Sequence, residues 1–271
     1  MNLNFNLKGK TAVITGATGV LCSVIAKELA KQGANVAVLG HGGVKAQLLA
    51  DEIIRDGGSA VAFNADVLDK ESLIKARDFV IEKYQDIDIL INGAGGNKKE
   101  ATTSDELSFF DIEFKALEWV FNLNVMGAVL TTQVFGEIFA KSGKGCVINI
   151  SSMAAYHPLT KTIAYSGAKA AVSNFTEWMA VHFNQNYSAK IRVNAVAPGF
   201  LLTNQNKFLM VQENGDPTER GKKVLDKTPM NRYGNPEEIA GPVLWLCSDA
   251  ASFVNGAVIP IDGGFSSYWG V

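Results

Sequence analysis

The stretch TAVITGATGVLCSVIAKELAKQGANVAVLG, residues 11–40, runs from a short β-branched segment through a glycine turn into a longer amphipathic segment, then into a second β-branched segment. TAVIT at 11–15 and NVAVL at 35–39 are short, apolar and rich in Val, Ile and Thr, which suits strands buried on both faces. The segment between them, to about Gln32, has helical length and pattern. Two such strands joined by a helix rather than a tight turn form a parallel βαβ unit.

The alternation continues outward. A helix to about Asp56 follows the second strand, AVAFN at 60–64 precedes a helix through Tyr84, and IDILIN at 87–92 precedes two helical stretches up to about Lys141. CVINIS at 146–151, IRVNAVA at 191–197 and AVIPI at 257–261 complete the set of strands. The expected architecture is α/β: one Rossmann-type doubly wound domain over residues 1–271, with about seven parallel strands and helices on both faces. In such sheets a ligand lies beyond the carboxyl ends of the strands, where the strand order reverses. Residues 200–235 break the alternation with polar and turn residues, and are expected to be an insertion over that crevice, a substrate lid.

Composition excludes several classes. Twenty-five Lys and Arg stand against 27 Asp and Glu, a net charge of -2, with no basic stripe to track a phosphate backbone. No uninterrupted apolar run reaches membrane-spanning length, and MNLNFNLKGK has no secretory pattern, so no membrane partner and a cytoplasmic location are expected. Cys22, Cys146 and Cys247 are odd in number and widely spaced, which suits buried free thiols; with only His41, His157 and His182 beside them, no metal cluster is expected.

NISSMAAYHPLTKTIAYSGAKAAV at 149–172 carries the chemistry. On a helix, Tyr165 and Lys169 share a face one turn apart, while Ser152 approaches from a strand end. A free phenol is too weak a base near neutral pH, and a nearby ammonium is expected to lower its pKa. Tyr165 then exchanges a proton with an alcohol or ketone oxygen that Ser152 holds by hydrogen bond. TGATG at 15–19 places glycine between strand and helix, where backbone can approach a pyrophosphate, although alone it also fits an ordinary turn. Asp66-Val67 and the Gly-Ala-Gly turn of INGAG at 91–95 fall on the same side of the sheet.

Together these residues resemble the short-chain dehydrogenase/reductase family over almost the whole sequence. The family's serine, tyrosine and lysine are matched by Ser152, Tyr165 and Lys169, and its catalytic asparagine, whose helix distortion holds a relay water, by Asn124 in FNLNVMGAV. PGFLLT at 198–203 and VNGAVIPIDGG at 254–264 match the nicotinamide-clasping loop and the last strand with its glycine turn. The resemblance implies a nicotinamide coenzyme held at Gly16, Thr18, Gly19, Leu21, His41, Asp66, Val67, Asn92, Ala94, Tyr165, Lys169, Pro198 and Thr203. Two departures stand out: Val20 and Cys22 occupy expected glycines, and Asn92-Gly93-Ala94-Gly95 replaces Asn-Asn-Ala-Gly. Where a carboxylate usually selects NAD, the second strand ends in Gly40-His41, so NAD(H) and NADP(H) both stay open.

INGAGGN, the triad segment, APGFLLTNQN and TERGKKVLDKTPMNR further resemble the bacterial D-mannonate oxidoreductases of this family, which interconvert D-fructuronate and D-mannonate, usually with NAD. A sugar-acid substrate would be met by Ser152, by Lys161 as a point charge, by Asn97, His157 and Gln205 at hydroxyls, and by Arg220 on the lid. Alternatives are a gluconate-type or acyl-carrier-protein-type reductase of the same family, or a non-catalytic nucleotide-binding protein. Relatives commonly form tetramers, which implies a homotetramer through helices around 105–140 and 163–186 and the last strand. The apolar tail FSSYWGV at 265–271 is expected at a subunit contact or over a neighbouring active site.

Overall fold

A computed structural model describes residues 5–204 and 206–270. β1 (Thr11–Thr15), β2 (Asn35–Gly40), β3 (Ser59–Asn64), β4 (Ile89–Asn92), β5 (Gly145–Ile150), β6 (Ile191–Pro198) and β7 (Val258–Ile261) form one seven-stranded sheet in the order β3-β2-β1-β4-β5-β6-β7. Every pairing is parallel, with Thr15 opposite both Leu39 and Asn92. The chain winds outward from β1 to β3 and returns to β4 on the other side of β1. The carboxyl ends of β1 and β4 therefore flank the switch point, where helices diverge and leave a crevice.

The period of two along β1 divides the core. Ala12 and Ile14 face one layer with Ile25 and Leu29 of α1 (Val20–Lys31), Leu49 of α2 (Gly43–Arg55) and Val243 and Leu246 of a later helix. Val13 faces the other layer, with Leu73 and Val80 of α3 (Lys70–Tyr84) and with Phe135, Phe139 and Phe183. Each such large side chain taken out of water contributes roughly 2 kcal/mol, so both faces hold the sheet. α4 (Phe114–Phe121) runs through a π segment, Asn122–Met126, into α5 (Gly127–Ser142), and α6 (Ile163–Asn186) lies beside it. The continuous run Phe114–Ser142 is long and apolar enough to cross a membrane, but half of its most apolar window is buried inside the fold, as a core helix requires.

Residues 200–235 leave β6 and return as a closed excursion. Leu201 bridges Gly234, Leu202 N–H donates to the Gly234 carbonyl at 2.8 Å, and Gly234 N–H donates to the Phe200 carbonyl at 3.1 Å. Within it lie α7 (Lys207–Met210) and α8 (Glu219–Lys227), the latter capped by the Thr218 hydroxyl on Gly221 N–H at 3.0 Å. α9 (Ala240–Cys247), apolar almost all round, had no counterpart in the strand-helix alternation read from sequence; its periodicity is erased because it packs on several sides. The three cysteines are buried free thiols, and no metal-binding cluster occurs among the described residues.

Candidate active site

Ser152 leaves the end of β5 and caps a short 3-10 turn, its Oγ accepting from Ala154 N–H at 3.1 Å. α6 presents Tyr165 and, one turn on, Lys169, which is buried among the helix's core positions. The Lys169 ammonium donates to the Ile150 carbonyl at 2.8 Å and lies 5.6 Å from the Tyr165 ring centroid. Burial pulls the Lys169 pKa down to about 8. Burial pushes the Tyr165 phenol up, opposed by its hydrogen bond with Ser152. That corrects the expected lowering of the phenol by Lys169: the ammonium is turned to the Ile150 carbonyl at the strand end, and desolvation dominates. The Tyr165 ring packs against Ala101, Ala116, Val120 and Ala164, which fixes its direction.

Asn124 sits within the π segment, whose extra residue per turn opens the helix ladder and frees the Val120 carbonyl. Its Nδ2 donates to Val120 O at 2.8 Å and to Gly96 O at 2.7 Å, and its Oδ1 accepts from Gly96 N–H at 3.1 Å. A Cβ on Gly95 would lie 2.6 Å from Asn124 Oδ1 and 3.2 Å from Lys169 Nζ. The absent side chain therefore brings the amide and the ammonium to one point, where a water could bridge them.

Toward the nucleotide end, Gly16 has φ 60 and packs so tightly on Ala94 that a Cβ would approach its backbone to 2.7 Å. The Thr15 hydroxyl joins the two strand ends, accepting from Gly93 N–H at 3.2 Å and Ala94 N–H at 3.4 Å. The departures in the two glycine turns prove to be one arrangement: a Cβ on Gly93 would collide with Cys22 Sγ, so the sulfur fills the space that a side chain at 93 would need. α1 begins at Gly19 with no side-chain cap and no acidic residue in its first turn, leaving N–H groups free for an anion. Gly16, Gly19, Leu21, Gly93, Gly95, Ser152, Tyr165, Lys169, Pro198 and Thr203 line one cleft of about 320 Å³. A glycine floor, an uncapped helix start and the triad in one cleft fit a nicotinamide dinucleotide.

The other residues singled out from the sequence do not line this cleft directly. Thr18 abuts Gly40, whose Cβ would meet its methyl at 3.2 Å; His41 is exposed beside Gly42, pinned by the Asn64 side chain at 3.0 Å. Asp66 is exposed, accepting from Leu68 N–H at 2.9 Å, and Val67 is buried. Asn92 donates to Asn149 at 2.8 Å and Thr132 at 2.9 Å, tying β4 to β5 and α5, while its buried Oδ1 has no partner among the described residues. Asn97 bonds the Thr102 hydroxyl at 2.9 Å and the Lys161 carbonyl accepts from Thr103 N–H at 3.0 Å, which brings both onto one rim. Arg220 stands exposed on α8, and Gln205 lies outside the described residues.

His157 Nε2 donates to the Ser266 carbonyl at 2.9 Å. Asn206 was missed from the sequence, although it lines the cleft and holds the nicotinamide-side loop, Oδ1 accepting from Thr203 N–H and Nδ2 donating to Leu201 O, both at 2.8 Å. Its side chain reaches back three residues to Thr203 N–H, as the second half of a capping box does, and the Thr-x-x-Asn spacing was its signal.

A family model described as enoyl-(acyl carrier protein) reductase matches residues 16–266. An uncharacterized oxidoreductase of Bacillus subtilis (strain 168) is 48% identical over 278 residues, covering 99% of this chain and 99% of its own. The crystal structure of a candidate D-mannonate oxidoreductase from Haemophilus influenza with bound NAD is 47% identical, with TM-score 0.93 and 98% of each chain covered. That of a candidate NAD(P)-dependent gluconate 5-dehydrogenase from Beutenbergia cavernae, with bound NADP at low occupancy, is 30% identical, with TM-score 0.85, covering 98% of this chain and 100% of the other. Such likeness across nearly full length, joined to the triad and its cleft, means that the chain belongs to the short-chain dehydrogenase/reductase family and is an NAD(P)-dependent oxidoreductase acting on alcohol and ketone groups.

Proposed function

We propose that the enzyme interconverts a sugar-acid ketone and its alcohol, D-fructuronate and D-mannonate, with NAD(H). The observation that carries the reading is the pair of segments bearing Asn97 and Lys161, which meet through Thr102 and Thr103. Lys161 is held in left-handed backbone, φ 80, and its ammonium has no carboxylate partner among the described residues. An unpaired lysine next to Asn97 suits a substrate that brings its own carboxylate and hydroxyls. Residues 200–235 act as the lid, with Arg220 closing on the acid.

Gly16, Gly19 and the start of α1 would hold the pyrophosphate, while Tyr165, Lys169, Pro198 and Thr203 would hold the nicotinamide end. The nicotinamide supplies or accepts the hydride. Ser152 donates a hydrogen bond to the ketone oxygen, and the Tyr165 hydroxyl protonates that oxygen as charge develops on it. Lys169, with its pKa near 8, resupplies the proton through a water held at Asn124. In the oxidative direction Tyr165 takes the proton and the relay runs outward. The candidate D-mannonate oxidoreductase with bound NAD, and the lack of arginine over 40–43, favour NAD over NADP. The exposed apolar face of α4 to α6 fits a homotetramer, and three free thiols fit the reducing cytoplasm.

The test is loss of NADH or NADPH absorbance with D-fructuronate, beside 5-ketogluconate and an acetoacetyl thioester. Turnover with fructuronate alone supports the assignment. Turnover only with 5-ketogluconate or the thioester moves the enzyme to the gluconate-type or acyl-type branch.

A further inference from the structure

After β7 the chain turns through Gly263 and Gly264, both at positive φ, and lies back on its own subunit. Asp262 fixes the turn, Oδ1 accepting from Gly264 N–H at 2.9 Å and Oδ2 from Ser266 N–H at 2.8 Å. On one side the segment meets the loop that leads into α6. His157 Nε2 donates to the Ser266 carbonyl at 2.9 Å, and the Trp269 ring meets the His157 ring edge-on, centroids 5.4 Å apart at 88°. The adjoining Tyr156 hydroxyl donates to Val258 O at 2.8 Å, so the loop is fastened to β7 as well.

On the other side the same segment meets the root of the 200–235 excursion. The rings of Phe265 and Phe200 pack edge to face at 5.2 Å, and Met230 N–H donates to the Gly263 carbonyl at 3.2 Å. The Lys227 ammonium at the end of α8 lies 5.8 Å from the Tyr268 ring. The loop before α6 and the root of the 200–235 excursion are thus joined by one short piece of backbone. Trp269 remains 75% exposed and Tyr268 43%, so their burial adds little to folding stability. Their contacts matter for placement.

We propose that Phe265–Gly270 is an intramolecular strap that sets the lid against the loop carrying the acid/base helix, with His157 and Trp269 as positioning residues at the loop end and Tyr268 at the lid end. This rests on reading 200–235 as a lid, and is independent of which ketone is reduced. When the strap is seated, the excursion is held at its root and the cleft mouth keeps one width. When it is lost, the lid samples positions in which substrate is bound loosely, while the coenzyme end, built on β1, β4 and α1, is untouched.

The first test needs no substrate: limited trypsin digestion of the full-length protein beside a variant ending at Ser267. The exposed lid sites Lys207, Arg220, Lys222 and Lys223 should be cut at least about fivefold faster in the shortened protein, with cleavage at Lys31 and Arg55, far from the strap, unchanged. Equal lid cleavage overturns the proposal, and so does a general acceleration that includes the remote sites. In the second test, Trp269→Ala and His157→Ala should each lower kcat/KM for the ketone through KM, leave coenzyme Kd unchanged, and combine without further loss; Trp269→Phe should restore most of it. Additive losses, or a parallel loss of coenzyme affinity, overturn it. If no ketone is turned over while the lid cleavage still responds, the substrate reading fails and the strap stands.

Discussion

At the scale of single residues, Tyr165 and Lys169 carry separable predictions. Tyr165→Phe should lower kcat by about 10²–10⁴-fold with coenzyme Kd little changed; near-normal turnover would remove Tyr165 as the acid. Lys169 ties stability to pH. Its folded pKa of about 8 lies below the ordinary 10.5, so between those values the unfolded state binds more protons, and stability rises with pH. Cys22, pushed up to about 12 by burial, acts oppositely from pH 9 upward, since the unfolded thiol loses its proton first. Because the Lys169 and Cys22 charges act on each other, the native lysine is compared with Lys169→Met in a Cys22→Ala background. Denaturant melts should show the lysine form gaining on the methionine form by up to about 3 kcal/mol between pH 8 and 10.5. A constant difference would mean that the ammonium is solvated.

At the scale of elements, two turns and one distorted helix were built around missing side chains. Gly93→Ala should destabilise by about 1–3 kcal/mol, because its methyl meets Cys22 Sγ, and Cys22→Ala should recover part of that loss in the double variant. Strict additivity in thermal melts would show that the turns are independent. The π segment makes a sharper claim about activity. Gly95→Ala drives a methyl into Asn124 Oδ1 and towards Lys169 Nζ, so it should lower kcat about tenfold or more while Tm falls by only a few degrees. Unchanged kcat would take the proton path away from this point.

For the whole molecule, α5 and α6 border an open groove of about 650 Å³ lined by Trp178, Phe175, His182 and Tyr187, with Trp178 57% exposed and stacked on His182 at 4.7 Å. A large apolar face on the expected subunit contact should be covered by a second copy. Trp178→Glu should shift the assembly to a smaller species in light scattering, with the monomer fold intact by circular dichroism. An unchanged mass would move the contact elsewhere. Within one chain the C-terminal segment, expected at a subunit contact or over a neighbouring active site, packs on the loop before α6 and on the root of the 200–235 excursion, and leaves Trp269 exposed.

The sequence alone determined the layered parallel sheet, because runs such as TAVIT and NVAVL are too apolar to face water on either side, and the helices between them leave no antiparallel route. It also brought Ser152, Tyr165 and Lys169 within reach of one another, since Tyr165 and Lys169 are neighbours on any helix and Ser152 ends a strand. What depends on contacts distant in sequence could be decided only by the tertiary structure. The His157 ring is 109 positions from the carbonyl that engages it, and Cys22 gains its meaning only from the glycine at 93. The direction of the tyrosine's pKa shift followed the same rule, because desolvation and the partner of the Lys169 ammonium are properties of the packed site and not of the spacing between two residues.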